Sequence, residues 1–207
     1  MVKTLIVGAH PDDIEIGCGG TIARHLDLDD EVFVLVLTNG EKGGHTQTKE
    51  ECLKSLSKLG IHQANVLFGN FKDGFIPDNQ EIVNFIEQHI RKLDIQRVYT
   101  NDPNDSHQDH RNCSKAVSSA ARHVKSILLF QEPSTNTLFQ PHYFIELKKE
   151  HLLRKLEALS SYESQIKKGG LNLDWIKSLA EVNGQKCCSK YAEAFAVNHI
   201  IEGDEHE

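Results

Sequence analysis

Two short stretches of this 207-residue chain concentrate groups that handle protons or bind metals. In the first, LIVGAHPDDIEIGCGGT, the residues His10, Asp12, Asp13 and Glu15 fall close together. In the second, NDPNDSHQDHR, the corresponding residues are His107, Asp109 and His110. Imidazole and carboxylate suit Zn²⁺, with Fe²⁺ or another divalent ion as alternatives. Three protein ligands plus a water are the pattern of a catalytic zinc. His10, Asp13 and His110 supply such a set. Asp12 is then left beside the water as a general base, and His107 as a donor outside the ligand set. Taken singly, an Asp-Asp at a helix start is usually a cap, and an HxxH pair is usually two surface histidines. The case rests on both stretches following predicted strands.

Residues 2–7 and 32–37 are near-continuously apolar and β-branched, which predicts buried strands. Residues 65–68, 97–100 and 127–130 predict three more. Helices are expected over 14–26, over 48–59, over a segment capped by Asp78 or Asn79 with Ile82, Phe85, Ile86, Ile90 and Leu93 on one face, and over 108–123. This alternation predicts a doubly wound α/β fold with a parallel sheet. In such a sheet the strand carboxyl ends share one edge, where ligands bind. The two stretches are therefore expected to share one site. Gly8, Gly17, Gly19 and Gly20 raise a nucleotide-loop alternative, but neither the GxGxxG nor the P-loop spacing occurs. Beyond residue 130, the expectation is a loop at 133–141, a short edge strand at 143–145, a long helix at 148–166, a helix at 171–182 and a strand-like piece at 191–197. One domain is expected: core 1–130, C-terminal extension 131–201 and acidic tail 202–207.

Composition bounds the function. Hydrophobic residues at 39% and charged residues at 26% suit a soluble globular protein. A net charge of −7 argues against nucleic-acid binding. No apolar run approaches the ~18–20 residues of a membrane helix, so no stable membrane insertion is expected. The opening MVKTLIVG enters a strand too soon for a signal peptide, which points to the cytoplasm. Cys18, Cys52, Cys113, Cys187 and Cys188 form no framework and no CxxC, setting aside disulfides and a thiolate zinc site. A homo-oligomer is compatible with the sequence.

AHPDDIEIGCGGT resembles the AHPDDxE…GGT signature of the PIG-L/LmbE-like N-acetylglucosaminyl deacetylases, and DSHQDHR resembles that family's second motif, HxDH. TNGE at 38–41 is similar to the family's loop after its second strand. SSYESQ at 160–165, preceded by Lys155, is similar to its Lys…SQ helix, and AEAF at 192–195 to its closing element. The resemblance implies a Rossmann-like three-layer α/β fold with a mainly parallel sheet and a C-terminal extension on the same domain. It implies a zinc-dependent hydrolase that removes the N-acetyl group from an N-acetylglucosamine-type amino sugar or its conjugate by metal-activated water. Matched position by position, it makes His10, Asp13 and His110 the metal ligands, Asp12 the general base, His107 the oxyanion-stabilising residue and Asp109 the carboxylate that orients His107. It also fixes which aspartate does which. Three departures bear on substrate rather than metal. Thr48 and Lys49 stand where many members carry an arginine, Asp105 where some carry an aromatic, and Tyr162 where others often carry His.

Asn39, Glu41 and His45 in the Gly-rich loop, together with Asp105 and His142, are further candidates for substrate contact. Glu15 reads as support for His10 or the backbone. The expected partner is a small-molecule N-acetyl amino sugar or conjugate. The alternatives are an amidase acting on a non-sugar acyl amine through the same site, and a non-catalytic metal-binding protein on this fold. Asp12 and His107, which metal binding alone does not require, argue against the second.

Overall fold

Successive strand residues point to opposite faces of a sheet, and here both faces are apolar. In β1 (Lys3–Gly8), Leu5 and Val7 enter one core while Ile6 enters the other. In β2 (Glu31–Thr38), Leu35 and Leu37 part from Val34 and Val36 in the same way. A sheet apolar on both faces must be covered on both. One face carries α1 (Asp13–Asp27), α2 (Gln47–Leu59), α5 (Lys149–Leu159) and α7 (Leu173–Lys186). The other carries α3 (Gln80–Leu93) and α4 (Gln108–Ala120). The computed structural model, which describes residues 1–41 and 47–203, is thus a three-layer α/β/α fold.

The remaining strands are β3 (Val66–Phe71), β4 (Arg97–Asn101), β5 (Ser126–Phe130), β6 (Tyr143–Glu146) and β7 (Ala192–Ile200). The sheet order is β3-β2-β1-β4-β5-β7-β6. The first five strands pair in parallel, and β7 is antiparallel to both β5 and β6. The chain runs outward from β1 to β3, then returns to lay β4 on the other side of β1. The order therefore reverses between β1 and β4, which opens a crevice at their carboxyl ends. The first motif leaves the sheet there after Gly8 and the second after Asn101.

Several boundaries differ from expectation. The edge strand expected at 143–145 is β6, at the sheet edge, and the strand-like piece expected at 191–197 is β7, which runs on to Ile200 and lies inside the sheet. The helix expected over 148–166 is two, α5 and α6 (Glu163–Lys168). Between them Tyr162 turns fully into the core, where its hydroxyl donates to Glu15 Oε1 at 2.8 Å. The Glu51 carboxylate of α2 accepts from the Ser164 amide at 3.0 Å and hydroxyl at 2.6 Å, which gives α6 its own start. Gly169, at φ 76°, closes α6 in the left-handed conformation that glycine tolerates. α4 ends at Ala120 rather than near residue 123. Of the two caps expected for α3, Asn79 is the one used, its Oδ1 accepting from the amides of Glu81 and Ile82. Among the described residues no helix is long and apolar enough to cross a membrane.

Candidate metal centre at the sheet edge

The loop after β1 is tied down before it reaches the first motif. Thr38, at the end of β2, donates from both its amide and its hydroxyl to the Ala9 carbonyl, each at 3.0 Å. The His10 amide then donates to Asp13 Oδ2 at 2.9 Å. Asp12 sits between them at φ 92°, ψ −31°, a backbone strain that non-glycine residues seldom bear outside functional sites. Its side chain makes no capping bond and faces a cleft.

Three atoms able to ligate a metal converge across the crevice. His10 Nδ1 lies 3.2 Å from His110 Nε2 and 3.7 Å from Asp13 Oδ2, and His110 Nε2 lies 3.5 Å from Asp13 Oδ2. Asn101 Nδ2 donates to Asp13 Oδ2 at 3.2 Å and to Glu132 Oε1 at 2.6 Å, fixing both carboxylates. The far nitrogens of the two rings are held by carboxylates. His10 Nε2 is 3.2 Å from Asp109 Oδ2 and 3.4 Å from Asp73 Oδ1. His110 Nδ1 is 3.2 Å from Asp105 Oδ2, 3.3 Å from Glu132 Oε2 and 3.3 Å from Ser134 Oγ. Near nitrogens converging while far nitrogens meet carboxylates is the arrangement of metal-binding imidazoles. The donor set of two imidazoles and one carboxylate fits a divalent cation such as Zn²⁺. Three overlapping groups of side chains here have the spacing to hold an ion: His10, His107 and His110; His10, Asp73 and Asp109; and Asp13, His110 and Glu132.

The field of the cluster is that of crowded, buried carboxylates. Burial opposes charge on His10, yet Asp109, Asp13 and Asp73 hold it well above the usual imidazole value. His110 is likewise pushed up to about 10, against its burial, by Asp13, Glu132 and Asp105. Asp13 is drawn below the carboxylate range despite burial, by His110 and His10. Burial, then Asp13 and Glu15, raise Asp12. His107 is lowered by burial and by the neighbouring His10 and His110. Its ring stacks on His110 at 4.8 Å between centroids and meets the edge of His10 at 4.7 Å.

His10, Asp12, Asp13, His107 and His110 all line one cleft of about 740 Å³, within the range of small-molecule sites. Asp109 lies behind it, fully buried. Its carboxylate accepts from the Gly74 amide at 2.6 Å and the Ile76 amide at 3.2 Å, and faces His10 rather than His107. The link to His107 is through the Asp109 amide, which donates to His107 Nδ1 at 3.2 Å. Asp105 is also behind the wall of the cleft, accepting from Ser134, Thr135 and the His107 amide while it faces His110. Asn39 bonds Glu41 and Asn70 outside the cleft lining, with Glu41 exposed. His142 is exposed and away from the lining. His45, with the rest of 42–46, and residues 204–207 of the acidic tail lie outside the described residues. Asp73, Glu132 and Ser134, which face the two imidazoles, are not among the site residues expected from the sequence. A signal was available, since Asp73 and Glu132 each stand two residues beyond a strand's carboxyl end.

Fold and cluster together define a Rossmann-like α/β protein with a candidate metal centre at the switch point of its sheet. The family model described as PIG-L, GlcNAc-PI de-N-acetylase, matches residues 5–121, and the chain belongs to that family. An uncharacterized deacetylase of Escherichia coli (strain K12), YaiS, is 36% identical over 169 residues, covering 77% of this chain and 90% of that protein. A diacetylchitobiose deacetylase of Thermococcus kodakarensis is 29% identical over 219 residues, covering 92% of this chain and 81% of that protein. Among solved structures, the conserved protein TT1542 from Thermus thermophilus superposes with a TM-score of 0.86 at 25% identity, over 98% of this chain and 97% of that one. A 4-carboxy-2-hydroxymuconate hydratase from Pseudomonas putida KT2440 superposes with a TM-score of 0.84 at 16% identity, over the whole of both chains. The fold thus also carries a hydratase, so the reaction has to be argued from the site.

Proposed function

We propose that the protein is a zinc-dependent N-deacetylase acting on an N-acetylglucosamine-type amino sugar or its conjugate. The convergence of His10 Nδ1, Asp13 Oδ2 and His110 Nε2 carries this reading, with Asp12 and His107 outside that set and facing the same cleft. Family membership and relatives named as deacetylases, one of them for diacetylchitobiose, support an amide of an amino sugar as substrate. The chain acts as one domain, because residues 131–201 complete the same sheet and contribute Glu132, Gln165 and Gly170 to the same cleft.

His10, Asp13 and His110 would hold Zn²⁺, which when bound would supply Lewis acidity to polarise the acyl oxygen and lower the pKa of a water toward ~7. Asp12 takes the proton of the water as it attacks the acetyl carbon. The strained backbone at Asp12 fixes where its carboxylate points. His107 donates to the oxyanion that develops, an interaction typically worth ~100–1000-fold in rate. The departing nitrogen leaves as a neutral amine, with its proton returned by Asp12 or His107.

Acetate release by the zinc-loaded protein tests the proposal. The panel is N-acetylglucosamine, diacetylchitobiose, N-acetylglucosaminyl conjugates and a non-sugar N-acetyl amine. Acetate and an equal amount of free amino sugar are the expected products. Acetate from the non-sugar amine alone would assign an amidase, and none from any compound would overturn the reading.

A further inference from the structure

α1 is broken in its first half. Cys18 leaves the helical conformation (φ −145°, ψ 24°), dividing a short leading segment that bears Asp13 from a longer one packed on α5. The preceding Gly17 makes room at the break, since a Cβ there would lie 2.3 Å from the Phe130 ring. In an unbroken helix the Gly20 amide would donate to the Ile16 carbonyl, four residues back. Here two side chains from distant sequence reach those two groups. Lys155 Nζ of α5 donates to the Ile16 carbonyl at 2.7 Å. Glu193 of β7 accepts from the Gly20 amide at 3.0 Å and from the Thr21 amide at 2.6 Å. Lys155 and Glu193 close the circuit on each other at 2.5 Å. Both are about 4% exposed, so solvent does not stand in for either.

We infer that the Lys155–Glu193 pair is a splice that sets the direction of the metal-binding turn, and that both are positioning residues for Asp13. The inference rests on the proposed reading of His10, Asp13 and His110 as a metal site. A buried ion pair is a weak source of net stability, because desolvation offsets its attraction. This one keeps its backbone partners only while the helix stays broken. A continuous α1 would take back the Ile16 carbonyl and the Gly20 amide, leaving the two buried ions paired with each other but short of those hydrogen bonds. The pair therefore selects the kinked backbone, and the leading segment emerges at the angle that brings Asp13 to His110 and leaves Ile16 on the cleft wall. Side chains inserted into the helical ladder are a recognised cause of kinks.

The test measures zinc affinity by chelator competition together with the thermal midpoint, in wild type, Glu193→Gln, Lys155→Met and Val117→Ala. Val117 lies in the core on the opposite face of the sheet, away from the pair. Glu193→Gln keeps one acceptor oxygen for two amides, and Lys155→Met leaves the Ile16 carbonyl unmet. Both are expected to bind zinc about tenfold more weakly, at the lower end of the range for groups outside the ligand shell. Val117→Ala is expected to lower the midpoint and leave zinc affinity within twofold, separating positioning from general destabilisation. Should Glu193→Gln fail to fold, Lys155→Met, which keeps the carboxylate and its two amides, decides the matter. Zinc affinity within twofold of wild type in the folded pair variants, with only the midpoint lowered, overturns the splice alone. A wild-type chain that holds no zinc overturns both the splice and the metal site.

Discussion

Replacing Asp109 with asparagine separates two ways in which this carboxylate could serve the site. Its two oxygens receive three donors: the Gly74 amide and His10 Nε2 on Oδ2, and the Ile76 amide on Oδ1. These bonds draw its pKa below the usual carboxylate value although burial opposes the charge. Asparagine keeps one acceptor oxygen and places an NH₂ where the other was. With the oxygen in the Oδ2 position, the Ile76 amide is left facing a donor; the reverse rotamer leaves two donors unmet. Asp109 is 0% exposed, so water cannot compensate. One buried unmet donor costs about 1–3 kcal/mol. For a chain of this length, each kcal/mol lowers Tm by about 2–4 °C, so the expected loss is roughly 2–12 °C. The His10 ring also loses its charged acceptor, and zinc affinity is expected to fall about 10–100-fold. Chelator competition and a thermal scan measure both. If zinc affinity stays within twofold while kcat collapses, Asp109 acts through His107, as the resemblance implies, and the reasoning from the His10 contact is wrong.

Asp12→Ala should retain zinc and lose about 100–10,000-fold in kcat; full activity would remove it as the base. His107→Ala should lower kcat by about 100–1000-fold with metal content unchanged, and a normal kcat would take it out of the mechanism. Zinc at about 100 times its Kd should stabilise the wild-type chain by about 2.7 kcal/mol and do little for His10→Ala or His110→Ala; equal stabilisation of all three chains would refute the ligand set. His25 bears on stability rather than catalysis. Burial, with Arg97 and Arg24 nearby, lowers it from its ordinary value of 6.5 despite the bond to Asp30, so its ring is neutral in the fold and lies between Asp30 and the Tyr99 hydroxyl. The unfolded chain therefore takes up the proton first. This stability is fully present above pH 6.5 and is lost as pH falls through the lower folded value. Urea unfolding at about pH 7.5 and about pH 5.5 should show a smaller pH dependence in His25→Gln than in wild type, and equal slopes would refute it.

Much of the frame was legible because burial leaves a periodic trace. Runs such as VFVLVL are apolar at every position only when both faces of a strand are covered, and β2 is buried that way. Ile82, Ile86 and Ile90 repeat at the helical period and do form the buried stripe of α3. The break between α5 and α6 left no such trace. It depends on Glu51 and Glu15, more than a hundred residues away, meeting Ser164 and Tyr162. The substrate candidates were chosen by polarity and nearness to strand ends, which do not say whether a side chain faces the cleft or its back wall. Asp105 faces the back wall.

The residue pattern by itself determined the α/β class, the two chemistry-bearing motifs and their meeting at one sheet edge, because strand alternation and the common polarity of parallel strands are local rules with a global consequence. Only the tertiary structure decided how each polar group is used. It put Asp73 and Asp109 on His10, set Asp105 and Glu132 on His110, and sent Lys155 and Glu193 into the ladder of α1. A carboxylate in a sequence has the same chemistry wherever it stands. What it does depends on which donors the packing brings within about 3 Å and on whether water can replace them.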